Sequence, residues 1–314
     1  MDGVEIIPVV LFAYNRPDHL DKTITHLSKN FGADSVSLTI YLDGPKKTGA
    51  KEIAIIDRVH QVAHSWSKSR LFKSINVISR ERNYGLANSI VDGVSNALLM
   101  SDKVIVLEDD LVTSPYFLQY MRSGLETYKD NPLVASIHGY AYPLENNTHE
   151  TYFLRGAGSW GWGTWRRAWR TFQKNGKILR EHIRNEGLEF SFDFDGTRRM
   201  VEMLEDQILG LNNSWAIRWH ASTFLAKMYT LHPGRSFVCN IGFDGSGTHC
   251  RSKNNIFSVT LSDRPVNVVS QSVCEDPNIK LKLKAYFRIV KQKRRFHNLR
   301  RWFRMMRHIY FSGA

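Results

Sequence analysis

Along the first part of the chain the spacing of apolar positions switches period several times. "VVLFAY" (Val9–Tyr14) is an unbroken apolar run of strand length, and "RPDHLDKTITHLSK" then sets Leu20, Ile24 and Leu27 on one helical face. Pro17 suits a first helical turn, and Asp18 and Asp21 suit its positive end. The alternation returns with "SLTIYLD" (Ser37–Asp43), a strand closed by Gly44-Pro45, then a helical stretch over Glu52–Trp66 and the strand "INVISR" (Ile75–Arg80). A helix after the Gly85 turn and the strand "KVIVLED" complete the series. Strands separated by helix-length segments predict βαβ units and an α/β fold with a mostly parallel sheet. Such sheets bind ligands beyond the carboxyl ends of their strands, where Arg16, Asp43, Arg82, Asn83 and Glu108–Asp110 all fall.

The later part is less regular and rich in aromatics. It carries "GSWGWGTWRRAW", helical stretches over Thr197–Leu209 and Trp215–Lys227, and the glycine-rich "NIGFDGSGTHC". With no linker of low complexity between them, the two halves are expected to form one globule, with a boundary only near Asp276-Pro277.

Charge sharpens this picture by its location. The formal net charge is +13 over 314 residues, yet no acid follows Asp276 while twelve of the 43 Lys and Arg do. The body is therefore nearly neutral and the tail carries the excess. Three cysteines (Cys239, Cys250, Cys274) argue against a disulfide framework, and Cys239, His249 and Cys250 lack the spacing of a zinc site. No apolar stretch reaches the length of a membrane span and no secretory leader is apparent, so a cytoplasmic location is expected.

The densest chemistry is Glu108-Asp109-Asp110, three carboxylates at the end of an apolar strand. Strand alternation predicts Glu108 and Asp110 on one face with Asp109 opposed. Two oxygen donors so placed suit Mg2+ or Mn2+, which take substrate phosphates as further ligands. The same acids also suit the N-terminus of a helix beginning near Thr113, so the triplet alone leaves both readings open.

Taken in order, "PVVLFAYNRP", "IYLDG", "RNYGLANSI" and "VIVLEDDL" resemble GT-A-fold glycosyltransferases. The likeness is nearest to family-2-like bacterial enzymes and to the N-acetylglucosaminyltransferase I group, whose metal motif is Glu-Asp-Asp. The resemblance implies a nucleotide-sugar-binding half at 1–130 and an acceptor-binding half at 131–276, with the basic tail at 277–314 following from the charge distribution. It implies Tyr14, Arg16, Asp43, Arg82 and Asn83 around the nucleotide, Glu108 and Asp109 at the sugar and ribose, and Asp110 on a Mn2+ or Mg2+ ion. Trp160 or Trp162 would face the sugar, since indole packs on the C–H faces of a pyranose; core packing is the competing reading for this tryptophan cluster. "RGAGSWGWG" (Arg155–Gly163) has the glycines for close backbone approach to a ligand.

An inverting transfer needs a carboxylate to take the acceptor proton. Asp206, with Glu205 beside it, is the choice, because Leu204, Ile208 and Leu211 occupy a different helical face. Gly245, Ser246, Gly247 and His249 resemble the loop that orders over the donor diphosphate in such enzymes.

In the tail, Phe296, Leu299, Phe303, Met306 and Tyr310 recur at steps of three and four among arginines. This predicts a basic amphipathic helix suited to an anionic membrane surface, with a packed helix or a nucleic-acid contact as competing readings. The expected protein is an inverting, metal-dependent transferase. It moves a sugar from a UDP donor to a glycan, free or lipid-linked, in bacterial surface-polysaccharide (O-antigen) assembly at the inner membrane face, with no nucleic-acid partner. The alternatives are a sugar nucleotidyltransferase and a non-catalytic membrane- or nucleic-acid-binding module. The former needs a Gly-rich loop after the first strand, and "FAYNRPDHL" has no glycine.

Overall fold

The predicted alternation is realised as β1 (Ile7–Ala13), α1 (Pro17–Ser28), β2 (Val36–Leu42), α2 (Ala50–Ser67), β3 (Ser74–Ser79), α3 (Leu86–Met100) and β4 (Lys103–Glu108). These come from a computed structural model that describes residues 6–46, 49–145, 147–244 and 257–292. β1 and β4 are buried on both faces, which is why they read as continuous apolar runs. β3, at the sheet edge, has no fully buried residue.

The chain continues through β5 (Leu111–Thr113), α4 (Phe117–Thr127), β6 (Val134–His138), β7 (Thr151–Arg155), β8 (Trp162–Trp165) and α5 (Arg166–Trp169). Then come α6 (Gly176–Asn185), α7 (Glu189–Phe192), α8 (Met200–Ile208), α9 (Trp215–Leu225), β9 (Tyr229–Pro233) and β10 (Val238–Asn240). A last helix, α10, covers 277–292.

One eight-stranded sheet has the order β3-β2-β1-β4-β8-β6-β9-β7, and β5 pairs with β10 in a small ribbon. The first four strands are parallel, as predicted. Beyond β4 the directions mix: β8 is antiparallel to both β4 and β6, β9 is parallel to β6, and β7 is antiparallel to β9. Because β8 sits between β4 and β6, the two halves share one sheet and one core. β6 runs in the same direction as β4, so its end, His138, lies on the same edge as Glu108.

The tryptophan cluster is mostly core. Trp162, read from the sequence as one of two sugar contacts, is 1% exposed and packs against Trp215 at 5.3 Å, Trp169 at 5.9 Å and Trp219 at 6.0 Å. That assignment is corrected: Trp162 opens β8, and its ring lies within the apolar core. Trp165 is also buried and donates its indole N–H to Leu125 O at 3.1 Å.

The start of the basic tail is docked. Ile279, Leu283 and Phe287 of α10 are buried with Tyr152 and Leu154 of β7. Its lysines find acids on the body, Lys280 on Glu275 at 2.7 Å and Lys284 on Asp195 at 3.0 Å. The aromatic periodicity from Phe296 to Tyr310 lies outside the described residues. Among the described residues no helix is long and apolar enough to cross a membrane.

Candidate functional site

The strand ends bring the predicted residues to one edge, and β4 determines how the acids point. The strand stops at Glu108, and Asp109-Asp110 form the turn into β5. The expected alternation therefore ends one residue early, and Asp109 and Asp110 converge on one partner. Arg16, just before α1, pairs with Asp109 Oδ1 and, at 3.0 Å, with Asp110 Oδ2. Asp109 is fixed from behind: its N–H donates to Phe12 O at 3.0 Å, and its carbonyl accepts from Thr23 Oγ1 at 2.7 Å. Asp110 is the more open of the two, its side chain 14% exposed against 4% for Asp109.

Three acids share one guanidinium, and their protonation records the imbalance. Burial pushes the Glu108 carboxyl up to about 8, and the nearby charges of Asp110 and Asp109 add to the effect. Burial likewise raises Asp109 to about 7 against the opposing pull of Arg16. For Arg16, burial works against the charged form, but the fields of Asp109 and Asp110 outweigh it and raise the guanidinium further. At these two acids the folded chain holds more protons than the unfolded chain from about pH 4 to about pH 8. The contribution of these two acids is favourable below that window and is lost as pH rises through it. Buried His138, His220 and His232 pull the other way below the ordinary imidazole value of about 6.5, so thermal unfolding of the metal-free protein is expected to shift to lower temperature between about pH 7 and about pH 8, and Glu108→Gln is expected to flatten that slope.

The segment after β10 closes over these acids. Ile241 N–H donates to Asp110 O at 2.8 Å, and Gly242 N–H donates to Asn240 Oδ1 at 2.8 Å. A Cβ on Gly242 would run into Asp110 Oδ2 and lie 2.9 Å from Arg16 Nη1, so a side chain there would have to displace the Arg16–Asp110 pair. Gly245, Ser246, Gly247 and His249, the predicted diphosphate loop, lie outside the described residues.

Asp43, after β2, is 6% exposed and engaged by backbone donors. Its carboxylate accepts from Tyr84 N at 2.7 Å, Gly85 N at 2.8 Å and Gly44 N at 3.1 Å. Asn83 adds a return bond, Nδ2 to Gly44 O at 2.8 Å. The turns after β2 and β3 are locked together by these residues, whatever else they touch. Tyr14 donates its hydroxyl to Glu52 of α2, and burial followed by that bond raises the phenol to about 12. Arg82 lies over the Tyr84 ring at 5.7 Å and, with Asn83, Asn88 and Lys174, lines an open groove of about 650 Å³ along α3. None of Glu108, Asp109 and Asp110 lines this groove.

On the other side of β4 stands an aromatic wall that sequence reading only half anticipated. Trp160 is half-buried, with Tyr140 at 4.8 Å, Phe257 at 5.7 Å and Phe243 at 5.8 Å around it. Behind it are two histidines that the sequence did not single out. Trp160 N–H donates to His138 Nε2 at 3.1 Å, so His138 Nδ1 carries the hydrogen and donates to His232 Nδ1 at 3.1 Å. Burial lowers both imidazoles, His138 to about 3, which keeps this neutral relay. "SIHGYAYP" offered one signal, a strand ending in His-Gly-Tyr beyond which polar groups were unaccounted for.

The loop Arg155–Gly163, expected to lend backbone N–H groups to a ligand, is instead strapped down. Trp160 N–H is spent on His138, Gly161 O accepts from Gly139 N at 2.6 Å, and Gly156 O accepts from Thr230 Oγ1 at 2.7 Å. His220 Nδ1 sits 3.2 Å from Ala157 N and 3.0 Å from Ala157 O. Gly158 is required because a Cβ there would stand 2.6 Å from His138 Nε2. His138→Phe strands two buried groups and is expected to cost about 2 kcal/mol in a denaturant titration. His138→Gln, which returns an acceptor, is expected to recover part of that loss.

Glu205 and Asp206 lie apart from the acids of β4. Their helix α8 packs on α6, α7 and α9. Glu205 accepts from Arg180 Nε at 2.8 Å, whereas no described hydrogen bond or ion pair engages the half-exposed Asp206 carboxylate. Among the described residues no group of three or more His, Cys, Asp or Glu forms a ready metal cage.

Residues 9–201 match the model of the family described as Glycosyl transferase family 2. No curated protein matches the sequence. Among solved structures, mannosyltransferase PcManGT from Pyrobaculum calidifontis, in complex with GDP-Man and Mn2+, is similar at 13% identity and a TM-score of 0.32, over 43% of this chain and 36% of that one. TarS 1-349 from S. aureus in complex with UDP is similar at 12% identity and a TM-score of 0.35, over 46% and 40% of the two chains. The same TarS fragment with UDP-GlcNAc gives 12% and 0.32, over 46% and 39%. The present chain thus spans well under half of each of those chains.

Proposed function

We propose that this chain, which belongs to glycosyl transferase family 2 and is a glycosyltransferase, moves a sugar from a nucleoside-diphosphate donor, UDP before others, onto a glycan hydroxyl with inversion. The observation that carries the reading is the turn at Glu108–Asp110, where Asp109 and Asp110 share one guanidinium with Glu108 beside them, at the carboxyl edge of the parallel strands. Carboxyl groups crowded beyond what one guanidinium compensates favour a cation, which would take the place of the protons that burial raises onto Glu108 and Asp109.

The donor set fits Mn2+ or Mg2+ held through Asp110. Such ions take one or two carboxylates and complete their shell with substrate phosphates and water. When bound, such an ion supplies neutralisation of the charge that builds on the departing diphosphate. The chain's own residues do the rest. Asp43, fixed by three backbone donors, presents its remaining lone pairs toward the base or ribose. Arg16 brings a guanidinium to the diphosphate edge. Trp160, anchored through His138, offers an apolar face to a sugar ring.

Asp206 is the proposed base, because Glu205 is occupied by Arg180 while the Asp206 carboxylate is open to an acceptor hydroxyl. Asp206→Asn is expected to retain donor binding and to lower transfer about 100-fold. Unchanged transfer would reassign the base. A role at the cytoplasmic membrane face, on a lipid-linked acceptor, is also part of the proposal. It is supported by the run of cations after Asp276 and is tested by vesicle co-sedimentation with and without residues 293–314. The reaction itself is tested with a panel of nucleotide sugars and Mn2+, reading nucleoside diphosphate release. UDP release from a UDP-sugar is expected, and pyrophosphate release from a sugar phosphate and UTP would favour a nucleotidyltransferase.

A further inference from the structure

The carboxylate turn already contains a cation, and its attachment is uneven. Arg16 holds Asp109, which is nearly buried and pinned through its own backbone, and it also holds Asp110, whose side chain is 14% exposed against 4% for Asp109. Gly242 rests against Asp110 Oδ2 and Arg16 Nη1 together, so the outer half of this pair lies beneath the segment leading to the predicted diphosphate loop. Glu108, beside them, has no described ion-pair partner. One guanidinium cannot balance three carboxylates, and a divalent ion approaching Asp110 meets Arg16 first.

We propose that Arg16 is a displaceable counter-ion that makes metal and donor binding depend on each other. The inference rests on the reading of Asp110 as the metal ligand. The inner bond, Arg16 to Asp109, is kept throughout as a pivot. The outer bond, Arg16 to Asp110, is exchanged: a divalent ion takes the Asp110 oxygen, and the freed Nη1 N–H groups turn to the donor's diphosphate. A metal arriving alone must break the Arg16–Asp110 pair with nothing to receive the guanidinium. A donor arriving alone meets a guanidinium that is already engaged. Together each supplies what the other displaces, so each strengthens the other by the same factor. This makes Arg16 a positioning residue with a role beyond contact with the nucleotide.

The test is Mn2+ binding read from the electron paramagnetic resonance signal of the free ion, with the full chain, with and without UDP and in the absence of any acceptor. Wild type is expected to bind Mn2+ weakly alone and at least about tenfold more tightly with UDP, the scale set by one charge pair near a protein surface. Arg16→Met, close in length and uncharged, is expected to bind Mn2+ alone about tenfold more tightly than wild type, and added UDP should tighten it about tenfold less than in wild type, leaving only the diphosphate's own coordination of the ion. Arg16→Lys keeps a charge but cannot span two carboxylates, and it should fall between them; it carries the comparison if the methionine variant does not fold. Mn2+ affinity in either variant equal to or below wild type, with the UDP effect intact, overturns the exchange while leaving Asp110 as ligand. Failure of wild type to bind Mn2+ even with UDP overturns both the exchange and the metal reading.

Discussion

Asp110→Asn is expected to lower glycosyl transfer about 1,000-fold, the range seen when a preorganised charge-stabilising group is removed from a reaction centre. The carboxylate sits past the end of β4, is partly exposed, and is held on its side-chain face by Arg16. No core contact depends on it, and the substitution is nearly isosteric. The neighbouring acids gain from it: with one of three crowded charges gone, Glu108 loses a source of the repulsion that raises its carboxyl. The variant should therefore unfold at the wild-type temperature or slightly above it while losing activity. A variant that loses activity and stability together would show a structural acid.

Asp43→Ala is the second large effect, and it falls first on stability. Tyr84, Gly85 and Gly44 donate backbone N–H groups to this one buried carboxylate. Alanine leaves those donors without their acceptor and cuts the link between the turns after β2 and β3. Since a stranded buried donor costs about 1–3 kcal/mol and water will reach some of them, a total near 3 kcal/mol is expected in a denaturant titration. Because the turn after β3, which Asp43 holds, carries Asn83 and Arg82, UDP affinity should fall with it. Asp43→Asn separates the two roles: one amide oxygen can serve Tyr84 and Gly44 N–H, while the NH2 group faces Gly85 N–H. It should be less destabilised than alanine but still impaired in nucleotide binding.

The strands of the first half were legible because burial on both faces writes them as apolar runs. Val104–Leu107 and Val9–Phe12 could scarcely have been anything else. Placing Asp43, Arg82, Asn83 and the acids on one edge needed only the direction of those strands. The orientation of Asp109 was not legible, since whether alternation continues depends on where β4 stops. Asp43 as a backbone clamp was hidden too, because its donors lie 41 and 42 residues along the chain. Trp160 and Trp162 are two residues apart in one glycine-rich setting. Only the pairing of β8 with β4 and β6 commits Trp162 to the core and leaves Trp160 on the wall. Charge drew the sequence reading of the tail to its later part, from Phe296, whereas Ile279, Leu283 and Phe287 ahead of that pattern pack on β7.

The central claim is that Asp110 and a donor diphosphate share one divalent ion at the end of β4. An anomalous difference map from a crystal grown with UDP and Mn2+ tests it most directly. The account predicts one strong manganese peak bonded to an Asp110 oxygen and to the diphosphate, with Arg16 still on Asp109. A peak at other side chains, or a diphosphate bound away from the Glu108–Asp110 turn, would contradict it.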